Sequence, residues 1–315
     1  MFSDFPGILN AGAAPAGARR AGPQFAPSAS SAPVTDPGDL VARALAILAE
    51  EGMTSDETQS GDRPVQPRVL GGTTSGETQS VDLPLQRPVL SDGTVCPLPI
   101  RYFDVQCLVA TFLTDLERAA ELLKGAGLQA VPQEDGKAVV LLYCIEYRVT
   151  DIGPYNEVGL TIVARAPGDP IPAIYVTDLP VTTAAANRAG REIWGYNKFV
   201  AAIDVKRDGK KFSTTLRDLG NATICVLDGT LGASVPAPPN DILTFTLLNG
   251  RLIKTRIQVL TPSRVSSGDS FIFKVGASAH SMTSNLRTLA LDGARPVRVQ
   301  YADPFQALLF PGRAV

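Results

Sequence analysis

Two Asx-Gly pairs place the tightest constraint on the fold. In "KFVAAIDVKRDGKKFSTTLRD" the pair is Asp208-Gly209, and in "DILTFTLLNGRLIKTRIQVL" it is Asn249-Gly250. Each lies between runs in which β-branched and apolar residues alternate with polar ones. A two-residue turn needs backbone angles that Asx and glycine tolerate, and its twist matches that of paired strands. Both stretches therefore predict antiparallel hairpins. "VQCLVATFL", "KAVVLLYCIEYRV", "EVGLTIVAR", "PAIYVTD", "SFIFKVG" and "PVRVQYA" add further strand candidates. From about Val95 onward only "DLERAAELLKGAG" and the shorter "TTAAANRAGRE" read as helices. Many hairpin-linked strands and few helices predict an α+β, β-rich domain whose antiparallel or mixed sheet curls into a barrel.

This domain is predicted to span residues 96–315. Residues 1–95 have a different texture, rich in Ala, Pro, Gly, Ser and Thr and poor in large apolar side chains. Such a segment buries too little surface to offset its chain entropy and is expected to be mostly disordered. One short amphipathic helix is predicted over about 39–51, where Leu40, Ala44, Ile47 and Leu48 share a face, Asp39 caps it and Gly52 stops it. A helix this short needs a surface to lie on, either the chain's own folded domain or a partner's groove. A duplication follows: "TSDETQSGDRPVQPRVL" (54–70) recurs as "TSGETQSVDLPLQRPVL" (74–90). It reads as a slipped duplication in a tolerant linker, or as two short motifs that engage a scaffold or shell twice.

Composition narrows the function classes. The formal net charge of −2 over 315 residues, with no basic run longer than two, gives no electrostatic footprint for nucleic acid. Cys96, Cys107, Cys144 and Cys225 are widely spaced, and His280 is the one histidine. That set argues against a metal site and suits a reducing compartment. No apolar run approaches a membrane span, and the N-terminus lacks a continuous apolar core for a secretory signal. Cytoplasmic residence is the expectation, with Arg19-Arg20 leaving a transit-peptide alternative. A Ser-His-Asp or Cys-His arrangement would have to use His280, and no nucleophile-elbow pattern precedes it. Acid–base work must then fall on carboxylates, lysine or tyrosine.

A lysine is the strongest candidate. "GREIWGYNKFV" sets Lys198 behind Trp194 and Tyr196, at what reads as the start of a strand, with Phe199 on the opposite face. An ordinary lysine, with a pKa near ~10.4, is almost wholly protonated at neutral pH. Burial among apolar groups, or a second cation nearby, lowers a lysine by ~3–5 units and frees the amine to attack a carbonyl. A solvated surface charge is the alternative reading of the same residue.

"GREIWGYNK" resembles the signature of the acetoacetate decarboxylase family, in which Gly-Arg-Glu is followed after two or three residues by Tyr-Pro-Lys-Lys. "YNEVGLTIV" (155–163) is similar to the family's Tyr-x-Glu segment, and "ASAHSM" and "ARPVRVQYADPFQALLFPGRAV" resemble its C-terminal strand and last helix. The resemblance covers roughly 96–315. It implies an acetoacetate decarboxylase-like fold and a lyase without a cofactor, whose lysine forms a protonated Schiff base with a small β-keto acid. On it, Lys198 is the nucleophile and Glu157 the pocket glutamate. Arg101 is the candidate partner of the substrate carboxylate, Arg191 and Glu192 are a polar lining or a structural pair, and Trp194 and Tyr196 are the candidate pocket aromatics, with simple packing the alternative for Tyr196. A homo-oligomer is also implied. Asn197 and Phe199 depart from the family's proline and second lysine. The same iminium and enamine serve aldol-type condensation, dehydration or hydration of a keto acid, and a keto-acid binder without turnover is a reading from outside enzymology.

Overall fold

The computed structural model describes residues 86–315 apart from Glu134. The predicted helix at 39–51, the first repeat copy and residues 74–85 of the second lie outside the described residues.

The strands run, in chain order, as β1 (Ile100–Asp115), β2 (Gln129–Ala130), β3 (Lys137–Thr150), β4 (Tyr155–Arg165), β5 (Ala173–Asp178), β6 (Ala202–Asp208), β7 (Lys211–Arg217) and β8 (Thr223–Thr230). They continue as β9 (Ser234–Ala237), β10 (Ile242–Leu248), β11 (Arg251–Val259), β12 (Ser263–Ser267), β13 (Ile272–Val275), β14 (Arg298–Leu309) and β15 (Arg313–Ala314). Three short helices, α1 (Leu116–Leu123), α2 (Ala184–Ala189) and α3 (Ser281–Thr288), interrupt them.

Seven strands close a barrel in the order β11-β10-β5-β4-β3-β1-β14, the ring completed where Ile257, Gln258 and Val259 pair with Leu309, Leu308 and Ala307. Neighbours are antiparallel except β5 and β10, which pair in parallel through Ile174–Thr244 and Tyr175–Phe245. The barrel is therefore mixed. β12 and β9 extend the wall beyond β14, and β13-β8-β7-β6 form a second, antiparallel sheet. Both Asx-Gly turns fall where the sequence places them. Asp208 pairs with Lys211 and Leu248 with Arg251, with positive φ at Gly209, Asn249 and Gly250.

The period of two divides each long strand between two environments. On β1, Leu108, Ala110 and Phe112 face outward, and so do Val140 and Leu142 of β3 and Leu160 and Ile162 of β4. They meet Phe212, Leu216 and Leu227 of the second sheet, with Leu123 of α1 and Leu286 of α3, in the largest apolar core. The residues between them point inward. Register sets the inward side chains in rows: Glu157, Ile145, Cys107 and Ala302 are cross-strand neighbours, and so are Thr161, Leu141, Thr111 and Arg298. The two rows are four residues, or about 13 Å, apart along the strands.

Two expectations are corrected. The C-terminal segment read as ending in a helix holds two strands instead, the 12-residue β14, which pairs with β1, β11 and β12, and the short β15 on β11. Lys198 does not open a strand: β6 begins at Ala202, and Lys198 precedes it in an extended stretch that makes one bridge, Val200 with Val181. The tail of the second repeat copy is folded. Gln86–Leu98 is a hairpin, with bridges Gln86–Leu98 and Val89–Val95, and it buries Leu90, Cys96 and Leu98 beside Ile100 and Trp194. No helix among the described residues is long and apolar enough to cross a membrane.

Candidate active site

The segment carrying Lys198 is fixed by its neighbours on both sides. Thr183 caps α2 by accepting from the Ala186 amide at 3.3 Å. The helix then widens into a π-type turn over Gly190–Trp194 and stops at Gly195 with φ +71°. A side chain at Gly195 would strike the Leu247 carbonyl at 2.3 Å, so glycine is required there on two counts. Beyond it the chain runs extended beside Leu179–Val181, with Leu179 N donating to Asn197 O (3.0 Å) and Val181 N to Phe199 O (2.9 Å). Asn197 Nδ2 adds a bond to Thr177 O at 2.7 Å.

In this extended geometry Lys198 and Phe199 point to opposite faces. Phe199 stacks on His280, ring centroids 4.0 Å apart, and His280 Nδ1 accepts from the Met282 amide to cap α3. Lys198 points into the barrel. Its Nζ lies 2.5 Å from Glu157 Oε2, and both side chains are 7% exposed. The other carboxylate oxygen, Oε1, accepts from Tyr147 Oη at 3.1 Å. Tyr155 and Tyr196 present ring faces to the amine at 5.5 and 6.0 Å, and Tyr196 Oη is 3.0 Å from Thr244 Oγ1. Tyr147 stacks on Tyr155 at 4.3 Å. Burial, joined by the nearby Glu157 charge, pushes the Tyr147 and Tyr155 hydroxyls well above the ordinary phenol value, so they stay protonated donors. Gly190 is the other special position. A Cβ there would lie 2.4 Å from Lys198 Cε, so the bare backbone makes room for the lysine.

The amine and carboxylate lie at the buried end of a cavity of about 690 Å³. It extends along the barrel past Cys107, Ile145 and Val109 to a mouth where Arg165, Pro238 and Pro239 are exposed and where Arg298 and Gln133 also line it.

The structure thus brings Lys198, Glu157 and Tyr196 together and places the other expected residues elsewhere. Arg101 is half exposed on the outer face of β1, flanked by buried Ile100 and Tyr102, and pairs with Asp151 at 2.9 Å. Trp194 is buried outside the cavity, its Nε1 donating to Phe310 O at 2.8 Å. Arg191 is exposed and donates through Nη1 to the Lys198 carbonyl at 2.9 Å, so it touches the backbone of the lysine. Glu192 accepts from both the amide and the hydroxyl of Ser91, and Arg188 pairs with Asp92, which together hold the Gln86–Leu98 hairpin. Tyr147 and Tyr155 are site residues that strand patterning alone absorbs into the core. The signal for Tyr155 is its position two residues before Glu157, on the same face of β4.

Among the described residues no group of three or more His, Cys, Asp or Glu is placed to hold a metal ion. The four cysteines are buried and unpaired. Burial drives the Cys107 thiol, which lines the cavity, far above its ordinary value, and it is an inert wall group.

A mixed barrel around a buried lysine–carboxylate pair defines a class of protein, and the comparisons identify its family. The profile described as "Acetoacetate decarboxylase (ADC)" matches residues 82–265, and the chain belongs to that family. Among solved structures it is similar to the acetoacetate decarboxylase from Legionella pneumophila, at 16% identity over 75% of this chain and 93% of that one, TM-score 0.56. It is also similar to the enduracididine biosynthesis enzyme MppR complexed with pyruvate (16% identity, 71% and 93% covered, TM-score 0.55). A third is an acetoacetate decarboxylase-like enzyme from Sphingomonas wittichii RW1 (14% identity, 71% and 96% covered, TM-score 0.54). At these identities the likeness is one of fold. No curated protein sequence matches the chain.

Proposed function

We propose that the protein is a cofactor-independent lyase that decarboxylates a β-keto acid through an imine at Lys198. The observation that carries this reading is the buried Lys198–Glu157 pair, 2.5 Å apart at the inner end of a cavity in a family barrel. The amine attacks the ketone carbonyl, and loss of water from the carbinolamine leaves a protonated imine. The bond from the α-carbon to the carboxyl then breaks, and its electron pair moves onto the imine nitrogen as CO2 departs. Protonation of the enamine carbon and hydrolysis release a ketone and restore Lys198. Glu157 is the base within reach of Nζ and serves the proton transfers, while Tyr147 fixes its second oxygen. Arg191 is a positioning residue, holding the Lys198 carbonyl.

MppR, similar in fold, has also been solved "complexed with the condensation product of pyruvate and imidazole 4-carboxaldehyde". That observation favours a second reading, in which the same lysine directs an aldol-type condensation or dehydration of a keto acid. Cytoplasmic residence and self-association belong to the proposal too, and light scattering tests the latter.

Borohydride reduction in the presence of acetoacetate or pyruvate, read by peptide mass, should place an adduct on the Lys198 peptide. Lys198→Ala should remove it. Glu157→Gln should slow turnover about a hundredfold, in the range of a lost general base, while still permitting the adduct. CO2 release identifies the decarboxylase, and a new carbon–carbon bond or loss of water without CO2 identifies the alternative. No adduct with any keto acid would leave a binding protein.

A further inference from the structure

The cavity is far larger than the smallest β-keto acid needs. The seven non-hydrogen atoms of acetoacetate fill on the order of 100–150 Å³, judged against about 30 Å³ for a water molecule. The cavity holds about 690 Å³. The remainder is a column within the barrel, walled mainly by apolar side chains that include Cys107, Val109, Leu141, Tyr143, Ile145 and Val176. Close-packed interiors keep few voids larger than a water molecule, so an apolar column of this size calls for an occupant. Its direction is set by register. The amine meets Glu157 in one row of inward side chains, and Arg298 stands in the row four residues, about 13 Å, further along the strands. On that side the lining gains polar groups, with Thr111 and Thr161 in the Arg298 row and, between the rows, Gln300 opposite Val109 and donating to Ser263 at 2.7 Å.

We propose, building on the imine reading above, that the preferred substrate is a 3-oxo acid whose ketone carries an extended apolar substituent, alkyl or aryl, lying along this column. The reacting carbonyl sits at Lys198, and the substituent displaces water from the wall between the two rows. Acetoacetate fits the reacting end and leaves the column unused.

The test compares acetoacetate, 3-oxohexanoate, 3-oxooctanoate, benzoylacetate and 3-oxoadipate on the full chain, by CO2 release and by the rate of borohydride trapping. Each methylene buried against the wall should raise kcat/KM about fourfold. The hexanoate should then exceed acetoacetate by about fifteenfold, and the octanoate by on the order of a hundredfold or more. Val109→Phe, which fills the column between the rows, should reduce the octanoate-to-acetoacetate ratio by at least about tenfold. The wild-type series decides the matter even if that variant fails to fold. A flat or falling series, with acetoacetate still trapped on Lys198, would overturn the inference and leave the imine reading standing. Preference for 3-oxoadipate over 3-oxohexanoate would overturn it too, by assigning specificity to a charge at the mouth. No adduct with any member would overturn the imine reading and the inference together.

Discussion

Gly190→Ala should separate catalysis from stability. Gly190 has helical angles, φ −63° and ψ −40°, so alanine meets no backbone penalty. Helix propensity alone favours alanine by ~0.8–1 kcal/mol. Against that gain, the new methyl would lie 2.4 Å from Lys198 Cε and 2.5 Å from Cδ. Carbon pairs rest at about 3.5–4.0 Å, so the lysine must retreat by roughly 1 Å. Overpacking of this kind costs about 1–3 kcal/mol. The two effects leave a net loss of about 0–2 kcal/mol, or a fall in Tm of no more than about 8 °C. The amine fares worse. A displacement near 1 Å takes Nζ out of its 2.5 Å contact with Glu157, and misplacement on this scale can cost about a hundredfold in rate. Borohydride trapping on the Lys198 peptide, beside a thermal melt, measures both quantities. A folded Gly190→Ala protein that traps keto acid within about twofold of wild type would refute the reasoning.

Tyr147→Phe removes the hydroxyl that donates to Glu157 and should cost about 1–3 kcal/mol of stability and about tenfold in trapping rate; unchanged trapping would mean that Lys198 alone holds the carboxylate. Asp178 is buried, with Oδ1 unpartnered, and burial raises its carboxyl above the ordinary 3.8 despite the bond that Asn285 Nδ2 donates to Oδ2 at 2.8 Å. A carboxyl that binds its proton more tightly when folded withdraws stability as pH rises from the ordinary value through the raised one. Asp178→Asn should therefore raise Tm relative to wild type more at pH 7 than at pH 4, and an equal difference at both would count against that account. Leu90→Ala, in the folded tail of the second repeat copy, should cost about 2–5 kcal/mol by denaturant titration, and a change under about 0.5 kcal/mol would mean that the hairpin is not part of the core.

Local chemistry carried much of this architecture into the sequence. Asp208-Gly209 and Asn249-Gly250 announce their hairpins because the turn conformation itself selects those residues. The motif ending at Lys198 is legible for the same reason: Gly190 and Gly195 answer to contacts of 2.4 and 2.3 Å that a side chain would create. What escaped depends on partners distant in sequence. Ring closure joins Ile257 to Leu309, a pairing that leaves no local mark on either strand. Trp194 is apolar and near Lys198, as a pocket residue would be, yet the Phe310 carbonyl claims its indole. For Arg101 the sequence does hold a contrary signal, since Ile100 and Tyr102 on either side are apolar and strand alternation turns the residue between them outward. α3, "SMTSNLRT", has mostly poor helix formers and owes its start to His280, so propensity gives little warning of it.

The hairpin at Gln86–Leu98 changes where this chain can be cut. Composition suggests a boundary near residue 95, and a truncation there would discard Leu90 and Ser91. The apolar cluster that holds Ile100 and Trp194 would lose a buried member, and Glu192 the two donors it holds. A fragment starting just before Gln86 keeps both sets of contacts. The folded unit thus takes in at least Gln86–Leu98, part of it inside the second repeat copy, and the turn that leads to Lys198 is built partly on residues that composition assigns to the linker.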